Sequence, residues 1–245
     1  MQMKKYIIVA ALLLSLQGMA QLNISQVFSD AEKQTKVLLD ELVLVNKNRT
    51  EPFTPRTVEN GALKAISSRD WTSGFFPGEL WYLFEYTGDQ KWMDLAKMYT
   101  APLEKEKTNA GTHDMGFKVY CSVGNAYRIS KDPHYKEVVI EAAKTLCKRF
   151  NKTAGVIRSW DHNRNVWDYP VIIDNMMNLE LLFAATELTG DSSFYKIAVT
   201  HANTTMKNHF RNDFSTFHVV DYDTTNGTIR QKDTHQGYAR ESAWA

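Results

Sequence analysis

Two aspartates in this chain each stand where a long apolar segment begins. Asp114 lies in Thr112-His113-Asp114-Met115-Gly116-Phe117, and Asp174 in Val171-Ile172-Ile173-Asp174-Asn175-Met176-Met177-Asn178. A carboxylate half-buried in apolar surroundings keeps its proton to higher pH, as a general acid working near neutrality must. Asp174 interrupts an apolar run, and Asp114 follows His113 and the Asn109-Ala110-Gly111 loop. Either aspartate, taken singly, also fits a helix N-cap, a role for which Asp is among the preferred residues. The surrounding residues favour chemistry: Trp71, Trp160, Trp167 and Tyr169 crowd nearby loops, with His162 and Arg164 between them. Flat apolar faces beside hydrogen-bonding groups suit sugar rings. Trp160 and Trp167 fit equally well as core between helices, and Trp81 and Trp92 read as core.

Two further positions are open. His218 lies in the strand-like Thr216-Phe217-His218-Val219-Val220-Asp221, and Gln236 in Thr234-His235-Gln236-Gly237-Tyr238. Spacing alone does not select either. The histidines form no H-x-x-H or H-E-x-x-H pattern, so no metal site is expected. Nor is there a G-x-S-x-G elbow, a P-loop or a G-x-G-x-x-G turn.

The elements that must position these residues recur along the chain. Residues 24–45 carry apolar positions at helical spacing, with Val37, Leu38, Leu42 and Val45 on one side. Residues 46–69 read as loop, broken by Pro52, Pro55 and Gly61. A repeating unit then begins. An apolar helix through Leu80, Trp81 and Leu83 ends at Thr87-Gly88-Asp89, and a more polar helix follows through Trp92 and Ala96. The same order returns from Asp114 to Ser130-Lys131-Asp132-Pro133 and through Val138, Val139 and Leu146. It returns again from Asp174 to Thr189-Gly190-Asp191 and through Phe194 and Ala198. The turn aspartates Asp89, Asp132 and Asp191 are 43 and then 59 residues apart, each with an aromatic three residues later. Gly closing one helix and Asp opening the next are ordinary stop and start chemistry. Repeated helix pairs bury their faces on their neighbours.

In each pair the first helix is the more apolar, which suggests an inner ring within an outer one: an all-α, α/α barrel. Inner helices of such a ring run the same way, so Trp71–Ser73, Asp114 and Asp174 are expected to converge at one mouth. The chain holds about three and a half pairs, fewer than a closed ring needs.

The chain has 245 residues, a formal net charge of +1 and 43% hydrophobic content, enough for one globular domain or part of a larger one. With no basic stripe, neither nucleic acid nor a membrane surface is expected as a partner. Lys4 and Lys5 precede the apolar run Tyr6–Leu16 and a small residue at Ala20, the pattern of a secretory signal too short to span a membrane comfortably. Residues 1–20 are read as a signal peptide and 21–245 as the N-terminal part of one barrel domain, exported to the periplasm. Cys121 and Cys147 lie in apolar helical segments and read as small buried hydrophobes, although an exported pair can form a disulfide.

With these pieces in place, the chain resembles glycoside hydrolase family 88, the unsaturated glucuronyl hydrolases. The resemblance rests on Trp71-Thr72-Ser73-Gly74-Phe75-Phe76-Pro77-Gly78, His113 to Phe117, Ile173 to Asn178, Thr234 to Tyr238, and Ser242-Ala243-Trp244-Ala245. It implies an (α/α)6 barrel and a chain cut short at its C-terminal side. It also implies hydrolysis of oligosaccharides that bear a 4,5-unsaturated uronic acid at the non-reducing end, by hydration of the C4=C5 bond. By the same resemblance Asp174 is the general acid and base and Asp114 its helper. His113, His218 and Gln236 position sugar and water, Trp71 stacks on the unsaturated ring with Trp160 beside it, and no cofactor or metal is used. The alternatives are an unsaturated rhamnogalacturonyl hydrolase, an inverting glycosidase using the same two aspartates, or a non-catalytic glycan-binding relative.

Overall fold

The computed structural model describes residues 23–236 and 238–240. The signal-peptide reading and the Ser242–Ala245 motif lie outside the described residues. Contacts divide the chain into two units, Met1–Val37 and Leu38–Ala245. Helix α1, Ile24–Asn46, crosses that division. In its second half Leu42 is fully buried while Val43 and Leu44 are exposed.

The segment expected to be loop holds a β-hairpin instead. Strands β1, Thr54–Glu59, and β2, Ala62–Ile66, pair antiparallel around Asn60-Gly61. Both turn residues have positive φ, 52° and 78°. Asn-Gly supplies that geometry at little steric cost, and the resulting twist matches the flanking strands. Pro55 is tolerated near the strand end, beside the irregularity between Pro55 and Thr57.

The helix pairs form as expected. A 3₁₀ turn, Trp71–Gly74, leads into α2, Phe75–Thr87, which packs on α3, Gln90–Thr100. The second pair opens unusually. Gly116–Gly124 is π-helical, continues as α4, Asn125–Ser130, and is followed by α5, Pro133–Cys147. The third pair is the short α6, Asn175–Asn178, with α7, Glu180–Thr189, and α8, Ser192–His209. Each reversal uses a left-handed residue, Gly88 at φ 70°, Lys131 at 59° and Gly190 at 74°, followed by an aspartate. Asp89, Asp132 and Asp191 each accept from the backbone N–H two residues on, at 3.0, 2.9 and 2.8 Å. The core joins Val119, Val138, Leu146, Leu181, Leu182 and Phe194 across the last two pairs.

Short strands finish the frame. Phe150–Asn151 and Val156–Ile157 pair antiparallel as β3 and β4. Strands β5, Pro170–Ile172, β6, Val219–Tyr222, and β7, Ile229–Asp233, form an antiparallel sheet in that order. Val219 pairs with Ile172, so His218 and the Ile173-Asp174 corner emerge at the same edge.

Cys121 and Cys147 are free and partly buried, and burial pushes both thiols up to about 11. No helix among the described residues is long and apolar enough to cross a membrane.

Candidate active site

The π-helical start brings the two aspartates together. Asn178 Oδ1 accepts the Phe117 N–H at 3.0 Å. A Cβ on Gly116 would lie 2.7 Å from Asn178 Cα, so only glycine permits this approach. On the other side, a Cβ on Gly74 would stand 2.1 Å from the Phe117 carbonyl oxygen. The Trp71 turn is thereby pressed onto the segment that follows Asp114. A buried ion pair braces the same junction: Lys118 Nζ lies 2.6 Å from Glu106 Oε2 and donates to the Arg69 carbonyl, while Ser68 Oγ donates to Glu106 at 2.9 Å. π-Helical turns often mark functional sites because they displace side chains from regular spacing.

Neither Asp114 nor Asp174 caps a helix through its side chain. Asp174 has helical φ/ψ and makes no side-chain cap bond, and Asp114 accepts instead from Thr112 Oγ1 at 2.7 Å. Asp174 Oδ1 is buried with no hydrogen-bond partner, although its side chain as a whole is 35% exposed. The aspartates of the turns do cap, so capping does not account for these two.

Between them stands His113, 5% exposed. Its Nδ1 lies 2.8 Å from the Ser159 carbonyl oxygen. A carbonyl can only accept, so Nδ1 carries the proton and Nε2 is the titrating nitrogen. Nε2 lies 3.2 Å from Asp114 Oδ1 and 3.5 Å from Asp174 Oδ2. Burial alone disfavours the cation, but Asp174, Asp114 and the Ser159 carbonyl outweigh it and hold His113 above the ordinary histidine range. Donor atoms of the three residues lie within 4.8 Å of one another.

His218 is tuned the opposite way. Its Nδ1 accepts backbone N–H groups of His235 at 3.0 Å and Gln236 at 3.3 Å, which puts the proton of the neutral ring on Nε2. Burial lowers its pKa, opposed by Asp174 and assisted by His235. Of the strand-like stretch 216–221, residues 219–221 lie in β6 and 216–218 precede it; His218 sits beside the acid because Ile173 N–H donates to the His218 carbonyl at 3.0 Å.

Trp71, His113, Asp114, Trp160, Asp174, His218 and Gln236 all line one cleft of about 660 Å³. Trp71 is 41% exposed and packs edge-on to Phe75 and tilted on Phe117. Trp160 is mostly buried, stacked on His162 at 5.5 Å and T-shaped on Trp167 at 6.0 Å, so it serves both cleft and core. Trp167 and Tyr169 are core residues and do not line the cleft. Trp167 packs with Ile172 and Val219, and the Tyr169 hydroxyl donates to the Arg149 carbonyl. Arg164 is turned to Asp161, 3.7 Å away. The sequence reading did not single out Phe75, Phe117, Ser159, Met177 or His235 as lining residues, although all but Ser159 lie in motifs it quoted.

A model of Glycosyl Hydrolase Family 88 matches residues 44–245. An unsaturated glucuronyl hydrolase of Formosa agariphila is 50% identical over 225 residues, 91% of this chain and 55% of that protein. An unsaturated chondroitin disaccharide hydrolase of Streptococcus agalactiae is 35% identical, over 78% of this chain and 49% of that protein. The chain thus spans about half the length of the curated relatives it matches. Among solved structures, an unsaturated glucuronyl hydrolase specific for heparin superposes with TM-score 0.79 at 45% identity, over 87% of this chain and 57% of the other. The enzyme of Bacillus sp. GL1, responsible for the degradation of glycosaminoglycan, superposes with TM-score 0.76 at 28% identity, over 89% of this chain and 58% of that one. The all-α fold is the incomplete α/α barrel of these relatives.

Proposed function

The chain belongs to glycoside hydrolase family 88, and from that premise we propose that the full-length protein removes a 4,5-unsaturated uronic acid from the non-reducing end of glycosaminoglycan oligosaccharides made by lyases. The observation that carries this reading is the Asp174 carboxylate. It stands at the cleft wall with one oxygen buried and partnerless, and its other oxygen faces His113.

Asp174 delivers a proton to C4 as the π electrons of the C4=C5 bond form the new C–H bond. Positive charge develops at C5 and the ring oxygen. Water adds at C5 and returns a proton to Asp174. The hemiketal then opens and the neighbouring sugar leaves. Asp114 holds the imidazole and ring hydroxyls, the His218 Nε2–H and the Gln236 amide orient sugar and water, and Trp71 supplies the apolar face under the ring.

Inverting cleavage of a saturated glycoside fits poorly. Such enzymes keep their carboxyl groups roughly 6.5–9.5 Å apart to admit water. Here one oxygen of Asp114 and one of Asp174 lie within 4.8 Å of each other, and both residues face His113 Nε2, at 3.2 and 3.5 Å. A binding module without catalysis gives no reason to keep two uncapped aspartates around a buried histidine.

Export to the periplasm belongs to the same proposal, supported by Lys4, Lys5 and the apolar Tyr6–Leu16 run. N-terminal sequencing of the protein from its native cell should begin at Gln21, and an intact Met1 would contradict export. The activity is tested by following the ultraviolet absorbance of the C4=C5 bond with unsaturated heparin-type and chondroitin-type disaccharides. Loss of that band by wild type supports the reading. Cleavage of saturated glycosides with the band untouched overturns it.

A further inference from the structure

The hydration chemistry needs a protonated acid at neutral pH, but a carboxyl side chain ordinarily loses its proton near pH 4. The site therefore needs somewhere to keep that proton. We propose that His113 stores it: the Nε2–H of the imidazolium is the resting position of the proton that Asp174 delivers to C4. This inference rests on the hydration reading above and adds to it a second residue in the proton path.

Three observations lead there. The Ser159 carbonyl fixes the Nδ1 proton, so only Nε2 can gain or lose one. Nε2 faces Asp174 Oδ2 at 3.5 Å and Asp114 Oδ1 at 3.2 Å. A neutral ring would aim a lone pair at two carboxylate oxygens, with no other partner for Nε2. One proton on Nε2 relieves that repulsion, and a short movement of either side chain passes it to Asp174.

Other titratable groups face the cluster. His218, across Asp174 on the β6 edge, is held neutral, and His201 on α8 lies behind His113 within electrostatic reach. Neither adds a competing positive charge at neutral pH.

The cycle balances. His113 Nε2 gives its proton to Asp174, and Asp174 gives it to C4. The attacking water forms the C5–O bond and surrenders one proton to Asp174, which passes it back to Nε2. Asp114 takes no part in these transfers and orients the ring. His113 is then a positioning and proton-storing residue that acts through Asp174.

The test compares full-length wild type with His113→Asn on unsaturated disaccharides across pH. The asparagine amide takes the place of Nδ1 and can still donate to the Ser159 carbonyl, but it cannot carry the proton. KM should change little. At pH 7 kcat should fall roughly tenfold or more, and activity should recover on acidification, with the alkaline limb moved by about one pH unit or more. A uniform loss with the limb unmoved would mean a structural role and overturn the proposal. Should the variant fold poorly, ¹⁵N NMR of the histidines in wild type decides. Nε2 of His113 must deprotonate in step with the alkaline limb, and a ring neutral throughout the active range overturns the proposal. A wild type that leaves the C4=C5 bond intact sinks the hydration reading and takes this inference with it.

Discussion

Asn178 Oδ1 accepts the Phe117 N–H at 3.0 Å across 61 residues of sequence. That bond joins the end of α6, one turn beyond Asp174, to the π-helical start just after Asp114. Replacing Asn178 with Ala leaves the Phe117 N–H buried and unpaired, at a cost of about 1–3 kcal/mol. We expect a lowered midpoint in urea and a disproportionate fall in kcat, because small displacements of catalytic groups are costly. An Asn178→Ala enzyme with normal kcat would show that the bond does not set the site.

The aspartates fall into two classes that mutation should separate. Asp89, Asp132 and Asp191 cap helices. Each should lose about 1 kcal/mol of stability on change to Ala while activity stays near wild type. Asp114 and Asp174 make no such caps, so Asp114→Asn and Asp174→Asn should remove most activity, a loss far larger than the shift in their unfolding midpoints explains. Paired denaturation and rate measurements on the five variants check this.

Trp71 and Trp160 share the cleft but not the same duty. Half-exposed Trp71 can lose its ring without leaving a core cavity, so Trp71→Ala should mainly raise KM, by about tenfold for a lost stacking face. Trp160 is packed against Trp167, Ile172 and Val219. Trp160→Ala should cost about 3–5 kcal/mol of stability. Thermal unfolding beside steady-state kinetics distinguishes them.

Acid should destabilise the fold through two histidines outside the cleft. Burial pushes His201 down to about 3 and His209 down to about 4. His201 Nδ1 accepts the Ile157 N–H, and His209 Nε2 donates to the Val171 carbonyl. The folded pKa of each base is depressed, so the unfolded chain binds more protons between pH 6.5 and those values. The stability they permit is present above about pH 6.5 and is lost as pH falls toward 4, by about 1.4 kcal/mol per pH unit per group. His209→Gln, which keeps a donor for Val171, should flatten the pH dependence of the urea midpoint. An unchanged slope would exclude His209 as a source.

The helix pairs were legible because their signals are local: Gly or Lys in a left-handed turn, a capping aspartate, an aromatic three residues on. Asn60-Gly61 announces the hairpin at residues 54–66, but Pro52, Pro55 and Gly61 read as breakers in sequence, so the segment looks like loop until its strands are seen to pair. The π-helical stretch was read only as an apolar segment. Its backbone register depends on Asn178 and on two glycines that admit close approach from elements far away in sequence. Trp71, Asp114 and Asp174 could be placed at one mouth from the repeat alone. The roles of Ser159 in fixing His113, and of the His235 and Gln236 amides in fixing His218, depend on contacts between distant segments that no spacing reveals. Trp167 and Tyr169 carry the same loop signature as Trp160, and only packing separates them.

Hydration at C4=C5 is tested most directly by running the full-length enzyme on an unsaturated disaccharide in D₂O and reading the product by NMR at early times. Protonation by Asp174 from one face predicts a single deuteron at C4 in one configuration, appearing as fast as the neighbouring sugar is released. Release of an intact unsaturated uronate, with deuterium entering C4 only later and on both faces, would contradict the account.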